Sequence, residues 1–128
     1  MITVTSKKDK YAMDVTNGTA AIISDVPATH GGSGQYLAPF DLLCSSFACC
    51  LTATARMLLE KRGVAFESVT AKVAVDKEST PGTTAFTYDL EIKGDIPEAD
   101  LAKYKMMIFK GCPVHKALEQ KITFGEMK

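Results

Sequence analysis

The uninterrupted run from Pro39 to Arg62, PFDLLCSSFACCLTATARMLLEKR, constrains the fold of this chain more than any other stretch. Proline and an acid open it, basic residues and Gly63 close it, and nothing inside it breaks a helix. At about 1.5 Å per residue such a helix runs roughly 36 Å. From Phe40 to Leu51 it is apolar or small on nearly every face, so the expectation is a central helix buried all round. Asp41, Ser45, Ser46, Thr52, Thr54 and Arg56 interrupt it too often for a membrane span, which needs about 20 unbroken apolar residues.

The segments on either side have shorter periods. ITVTS, YAMDVTN and TAAIISD are β-leaning runs separated by KKDK and by the turn pair Asn17-Gly18, which predicts a meander. Val26 to Ala38 has a proline, closely spaced glycines and no usable period, so it is expected to be a long loop of the kind that carries function. Beyond the helix, Val69, Ala71, Val73 and Val75 alternate with polar residues, as do Phe86, Tyr88, Leu90 and Ile92, which predicts a two-stranded hairpin turning at ESTPGTT. PEADLAKYKMMIFK, acidic early and basic late, predicts a helix. A second helix from Pro113 and a last short strand, KITFGEM, close an α+β chain read as one domain over residues 1–128.

Fifteen basic and fifteen acidic residues cancel, which leaves no basic footprint for nucleic acid and no polybasic signal for a membrane surface. MITVTSKKDK lacks the apolar run of a signal peptide, so a reducing, cytoplasmic setting is expected, in which four cysteines are not structural staples. Cys44, Cys49 and Cys50 share the long helix, and Cys112 stands alone in FKGCPVHKAL. There Gly111 suits the left-handed residue that ends one helix and Pro113 the first position of the next, with Cys112 as the cap between them. The N–H groups and dipole of a helix start favour a thiolate, so Cys112 is expected to ionise more easily than an ordinary cysteine. The plainer reading is a small apolar residue that fills the interior. On an ideal helix Cys50 shares a face with Leu43, Phe47, Thr54 and Met57. Cys44 lies about 240° and roughly 9 Å from Cys50, so those two cannot bridge.

The glycine-rich loop, the Pro-x-acid-Leu-Leu helix start, the small-residue segment ending in cysteine, the Arg-Met helix exit and Cys-Pro-Val-His follow one another from Gly31 to about Leu118. In that order they resemble the OsmC/Ohr family, the osmotically induced and organic-hydroperoxide-resistance proteins. The resemblance implies an OsmC-like fold: a long central helix wrapped by bent antiparallel sheets in an intertwined homodimer, with sites at the subunit interface. It also implies a cysteine peroxidase that needs no metal, flavin or haem. Cys50 would attack a small organic hydroperoxide, Cys112 would resolve the sulfenic acid as a disulfide, and an external dithiol would reduce it. Phe40, Asp41, Phe47, Met57 and His30 are the expected substrate contacts.

Two features depart from the family's peroxidases. They activate their thiolate with an arginine from the N-terminal strands and a glutamate directly after the helix proline; here the only arginines are Arg56 and Arg62, and Phe40 follows Pro39 with the acid displaced to Asp41. Some OsmC-like subgroups carry the acid at that later position. An ideal helix puts Asp41 about 180° from Cys50, so it cannot touch that sulfur. Mid-helix, Cys50 gains nothing from its own dipole, and an apolar setting raises a thiol's pKa, so a cation or donor has to reach it. Lys7, Lys8 or Lys10 could replace the arginine, against their plainer role as solvated charges. Arg56 could serve a neighbouring subunit or cap a helix end, and His115 is near enough to Cys112 to share a proton or be an ordinary helix residue. Two other classes stay open: zinc held by Cys112, His115 and a helix cysteine, and a non-catalytic relative that binds a small apolar molecule.

Overall fold

The computed structural model describes residues 1–128, the side chain of Ser79 excepted. The chain divides into two compact units, Met1–Leu43 and Cys44–Lys128.

In the first unit the predicted meander forms: β1 (Thr3–Ser6), β2 (Met13–Thr16) and β3 (Ala21–Ser24) pair antiparallel in that order. The β2–β3 turn closes because Asn17 Oδ1 accepts the N–H groups of Thr19 and Ala20 at 2.9 and 2.8 Å, and Gly18 takes the left-handed backbone at φ 95°. The long loop is folded around one buried carboxylate. Asp25, 4% exposed, accepts the Val26 N–H at 2.7 Å and both the N–H and hydroxyl of Ser33 at 2.9 Å. The Ser33 N–H outweighs burial, and with the Ser33 hydroxyl and the Val26 N–H it holds this carboxyl below the usual range. Gly32 closes the clip: a Cβ there would sit 1.8 Å from the Val26 carbonyl oxygen, so no other residue fits. A short 3-10 turn, Ala28–His30, and a bridge from Ser24 to Leu37 complete the loop.

Helix α1 spans Pro39–Lys61, within one residue of the predicted run. Its start explains the displaced acid: Asp41 Oδ2 accepts the Ala38 N–H at 2.8 Å, reaching back from the third helical position as in a capping box.

The second unit packs the rest of α1 with the hairpin and two further helices. Strands β4 (Ser68–Thr80) and β5 (Thr83–Lys93) form the predicted hairpin, with Val69 opposite Ile92 and Val73 opposite Tyr88, and turn at Pro81-Gly82. Helix α2 covers Glu98–Gly111 and α3 covers Pro113–Glu119. Phe47, Leu51, Ala55 and Leu59, spaced by four, form the buried stripe of α1, and Leu90, Ile92, Ile108 and Cys112 complete the core.

Three expectations change. α1 is buried along that stripe alone and not all round, because one hairpin and two helices cover only one side of it. Residues 121–128 form no strand, for a strand needs a neighbour to bond with, and Ile122 and Phe124 are exposed. Gly111 is the last residue of α2 and is absent from the left-handed positions; the chain turns instead through Cys112, at φ −69° and ψ 114°.

Candidate functional site

Cys112 is the only residue between α2 and α3, serving as the end of one and the cap of the other. Its position follows from its neighbours. Pro113 is preset for a first helical position and has no N–H to satisfy, so the first donor that α3 can offer is the Val114 N–H. That donor meets the sulfur of Cys50, on α1.

The two expected thiols are thus brought together, but their acidities are the reverse of what the cap position of Cys112 suggests. Burial alone would push the Cys50 thiol up; hydrogen bonds to its sulfur from the Val114 N–H, the Cys112 thiol and the Thr54 hydroxyl more than offset this and leave it below its ordinary value. Cys112 is 0% exposed, and burial raises it. The facing N–H groups of His115 and Val114 oppose the rise, but donating its proton to Cys50 and lying beside a developing negative charge reinforce it. The helix start therefore serves both sulfurs, but only at Cys50 do the donors outweigh burial. Cys50 becomes the acidic, half-buried thiol and Cys112 the proton-keeping one.

Thr54 and Met57 line a cleft of about 630 Å³ with Leu58 and Met107, and Gly111 and Pro113, the neighbours of Cys112, line it too, as do Lys61 and Arg62. Met57 is 69% exposed there, an apolar wall open to a ligand. Phe47, expected as another wall, is a core residue at 3% exposure, set edge-on to Phe86 and Tyr88 and stacked with His115. The other expected contacts lie in the N-terminal unit. Phe40 is 43% exposed, Asp41 caps α1, and His30 is exposed beside the Thr29 hydroxyl at 3.1 Å. Lys7, a candidate substitute for the arginine, pairs with Asp14 at 3.3 Å, and Arg56 pairs with Glu60 at 3.0 Å while lying over the Phe66 ring.

The zinc reading loses its second ligand. His115 turns Nδ1 to the Phe109 carbonyl oxygen and Nε2 to Glu119, and among the described residues no three His, Cys, Asp or Glu side chains gather as a metal requires. Sequence reasoning missed Val114, although a signal was present: with proline directly after the cap, the next residue carries the first free N–H.

The site therefore sets a more acidic thiol beside a less acidic one, and a partly apolar cleft is lined by Thr54, which bonds to the first, and by Gly111 and Pro113, which flank the second. The chain matches the family model described as OsmC-like protein over residues 32–126. Among solved structures it is similar to an OsmC-like protein from Mycoplasma pneumoniae, with TM-score 0.77 and 22% identity over 93% of this chain and 86% of that one. It is also similar to an organic hydroperoxide resistance protein from Legionella pneumophila, with TM-score 0.68 and 18% identity over 93% and 89%. The organic hydroperoxide resistance protein OhrB of Bacillus subtilis gives TM-score 0.65 and 15% identity over 93% and 89%. At these identities the likeness establishes the fold. No curated protein matches the chain significantly.

Proposed function

Because the chain belongs to the OsmC-like protein family, we propose that it is a thiol-dependent peroxidase that reduces organic hydroperoxides through Cys50 and Cys112. What carries this reading is the pairing of the Cys50 and Cys112 sulfurs, in which the Val114 N–H, the Cys112 thiol and the Thr54 hydroxyl hold Cys50 below its ordinary range. The Cys50 thiolate attacks the outer oxygen of the hydroperoxide, the O–O bond breaks, and the alkoxide takes a proton and leaves as the alcohol. Sulfur is now a sulfenic acid. The Cys112 sulfur attacks it, the sulfenic hydroxyl leaves with the Cys112 proton as water, and a disulfide holds the two oxidising equivalents. An external dithiol restores both thiols by two exchanges and is itself oxidised to a disulfide. A reducing, cytoplasmic setting and a second copy of the chain belong to the same reading.

Dithiol-dependent consumption of cumene hydroperoxide should vanish in Cys50→Ser, and peptide mapping after one equivalent of peroxide should recover Cys50 joined to Cys112. Cys112→Ser should keep the first oxidation, lose the disulfide and take up further oxygen on Cys50, visible by mass. Oxidation of Cys44 or Cys49 with Cys50 left reduced overturns the assignment.

A further inference from the structure

A single side chain spans the junction between α2 and α3. His115 Nδ1 lies 3.0 Å from the Phe109 carbonyl oxygen, which also accepts the Cys112 N–H at 3.3 Å. Its Nε2 lies 2.8 Å from Glu119 Oε1, one turn further along α3. The ring stacks with two others: its centroid is 3.8 Å from that of Phe109 and 6.2 Å from that of Phe47, at interplanar angles of 30° and 27°. One imidazole, 13% exposed, thus holds the end of α2, the start of α3 and the stretch of α1 three residues before Cys50.

Such a clamp has a task here. α3 is 7 residues long, too short to be stable by itself, and first turns fray. Pro113 contributes no N–H, so Val114 is the first donor, and a hydrogen bond weakens steeply once its angle or length drifts. We propose that His115 is a positioning residue for the reactive thiol: by pinning the first turn of α3 to Phe109 and Phe47, it keeps the Val114 N–H aimed at the Cys50 sulfur. This rests on Cys50 being the reactive thiol and is independent of peroxide turnover. The other groups on that sulfur, the Thr54 hydroxyl and the Cys112 thiol, are held by their own elements. Cys112 is the ionisable one of the two, so it has to be followed in the same titration.

The test is the pH dependence of iodoacetamide alkylation at Cys50, resolved from the other three cysteines by peptide mass. His115→Phe keeps a stacking ring and loses both nitrogens; the Cys50 midpoint should rise by about one pH unit, which slows alkylation about tenfold on the acid side. His115→Asn, whose amide can still donate to Phe109, should recover most of that loss. Glu119→Ala, altering an exposed residue that only orients the ring, should slow alkylation about threefold. A folded His115→Phe that titrates like the wild type overturns the proposal. Should neither His115 variant fold, an unchanged titration in Glu119→Ala does the same. Peroxide consumption is scored separately: shifted titrations without turnover leave His115 in its role and remove the peroxidase.

Discussion

Reduced protein should react with cumene or tert-butyl hydroperoxide about two orders of magnitude faster than with hydrogen peroxide. The cleft carries Met57, Leu58 and Met107, and also Thr54, whose hydroxyl is a donor to Cys50, so a carbon tail that leaves water there has its peroxide end on the Thr54 side. Each buried CH₂ contributes about 0.8 kcal/mol. A tail of about four carbons held in the transition state gains roughly 3 kcal/mol, and about 1.4 kcal/mol is tenfold in rate. Hydrogen peroxide has no tail to bury. Stopped-flow comparison of the substrates, with Met57→Ser as the variant that narrows their ratio, checks this. Phe47→Ser is a poor probe, because that ring is in the core and its loss would damage the fold first. Equal rates for all three peroxides remove the apolar cleft from the account.

The protein should also be a homodimer with no stable folded monomer at micromolar concentration. The most apolar 18-residue window of α1 has a mean hydropathy of 1.6, yet only 22% of it is buried within the chain. By length and composition alone α1 could cross a membrane, but its buried stripe already packs against Leu90, Ile92 and Ile108 as a core helix does. What remains exposed is large: Met57 at 69%, Met106 at 59%, and Ile122 and Phe124 in the segment that lacks a strand partner, at 56% and 95%. Soluble monomers rarely leave so much apolar surface in water, and a symmetric second copy is the commonest cover. Light scattering of the detergent-free protein decides it. A folded monomer at that concentration removes the dimer and any site shared between subunits.

The elements were legible because each has a period of its own. Pro39–Lys61 has clear ends, the hairpin alternates up to Asp76 on one strand and from Phe86 on the other, and the meander announces its turn at Asn17-Gly18. The junction at Cys112 was half legible. Gly-Cys-Pro predicts a helix break with the thiol as its cap, and the structure has that cap. What local reasoning could not supply is which atom the free N–H groups of α3 would meet. That depends on α1, far away in the chain, and so Cys112 was expected to ionise easily, when burial and the Cys50 sulfur beside it raise it and the net benefit goes to Cys50. The buried stripe of α1 and the unpaired residues 121–128 share another cause. Apolar pattern reports what surface is to be covered and says nothing about whether the cover belongs to the same chain.

Peroxidases of the resembled kind pair their sulfur with an arginine; here, among the described residues, the donors that lower the Cys50 thiol are all uncharged. Attraction to a mobile cation is screened by dissolved ions, with a Debye length of about 8 Å at physiological salt, whereas a hydrogen bond from a fixed amide is screened much less. The alkylation rate of Cys50 at fixed pH should therefore change little between low and high salt. A chain built this way should keep its reactivity when the surrounding medium becomes concentrated, the condition in which a charge-paired sulfur loses part of its advantage.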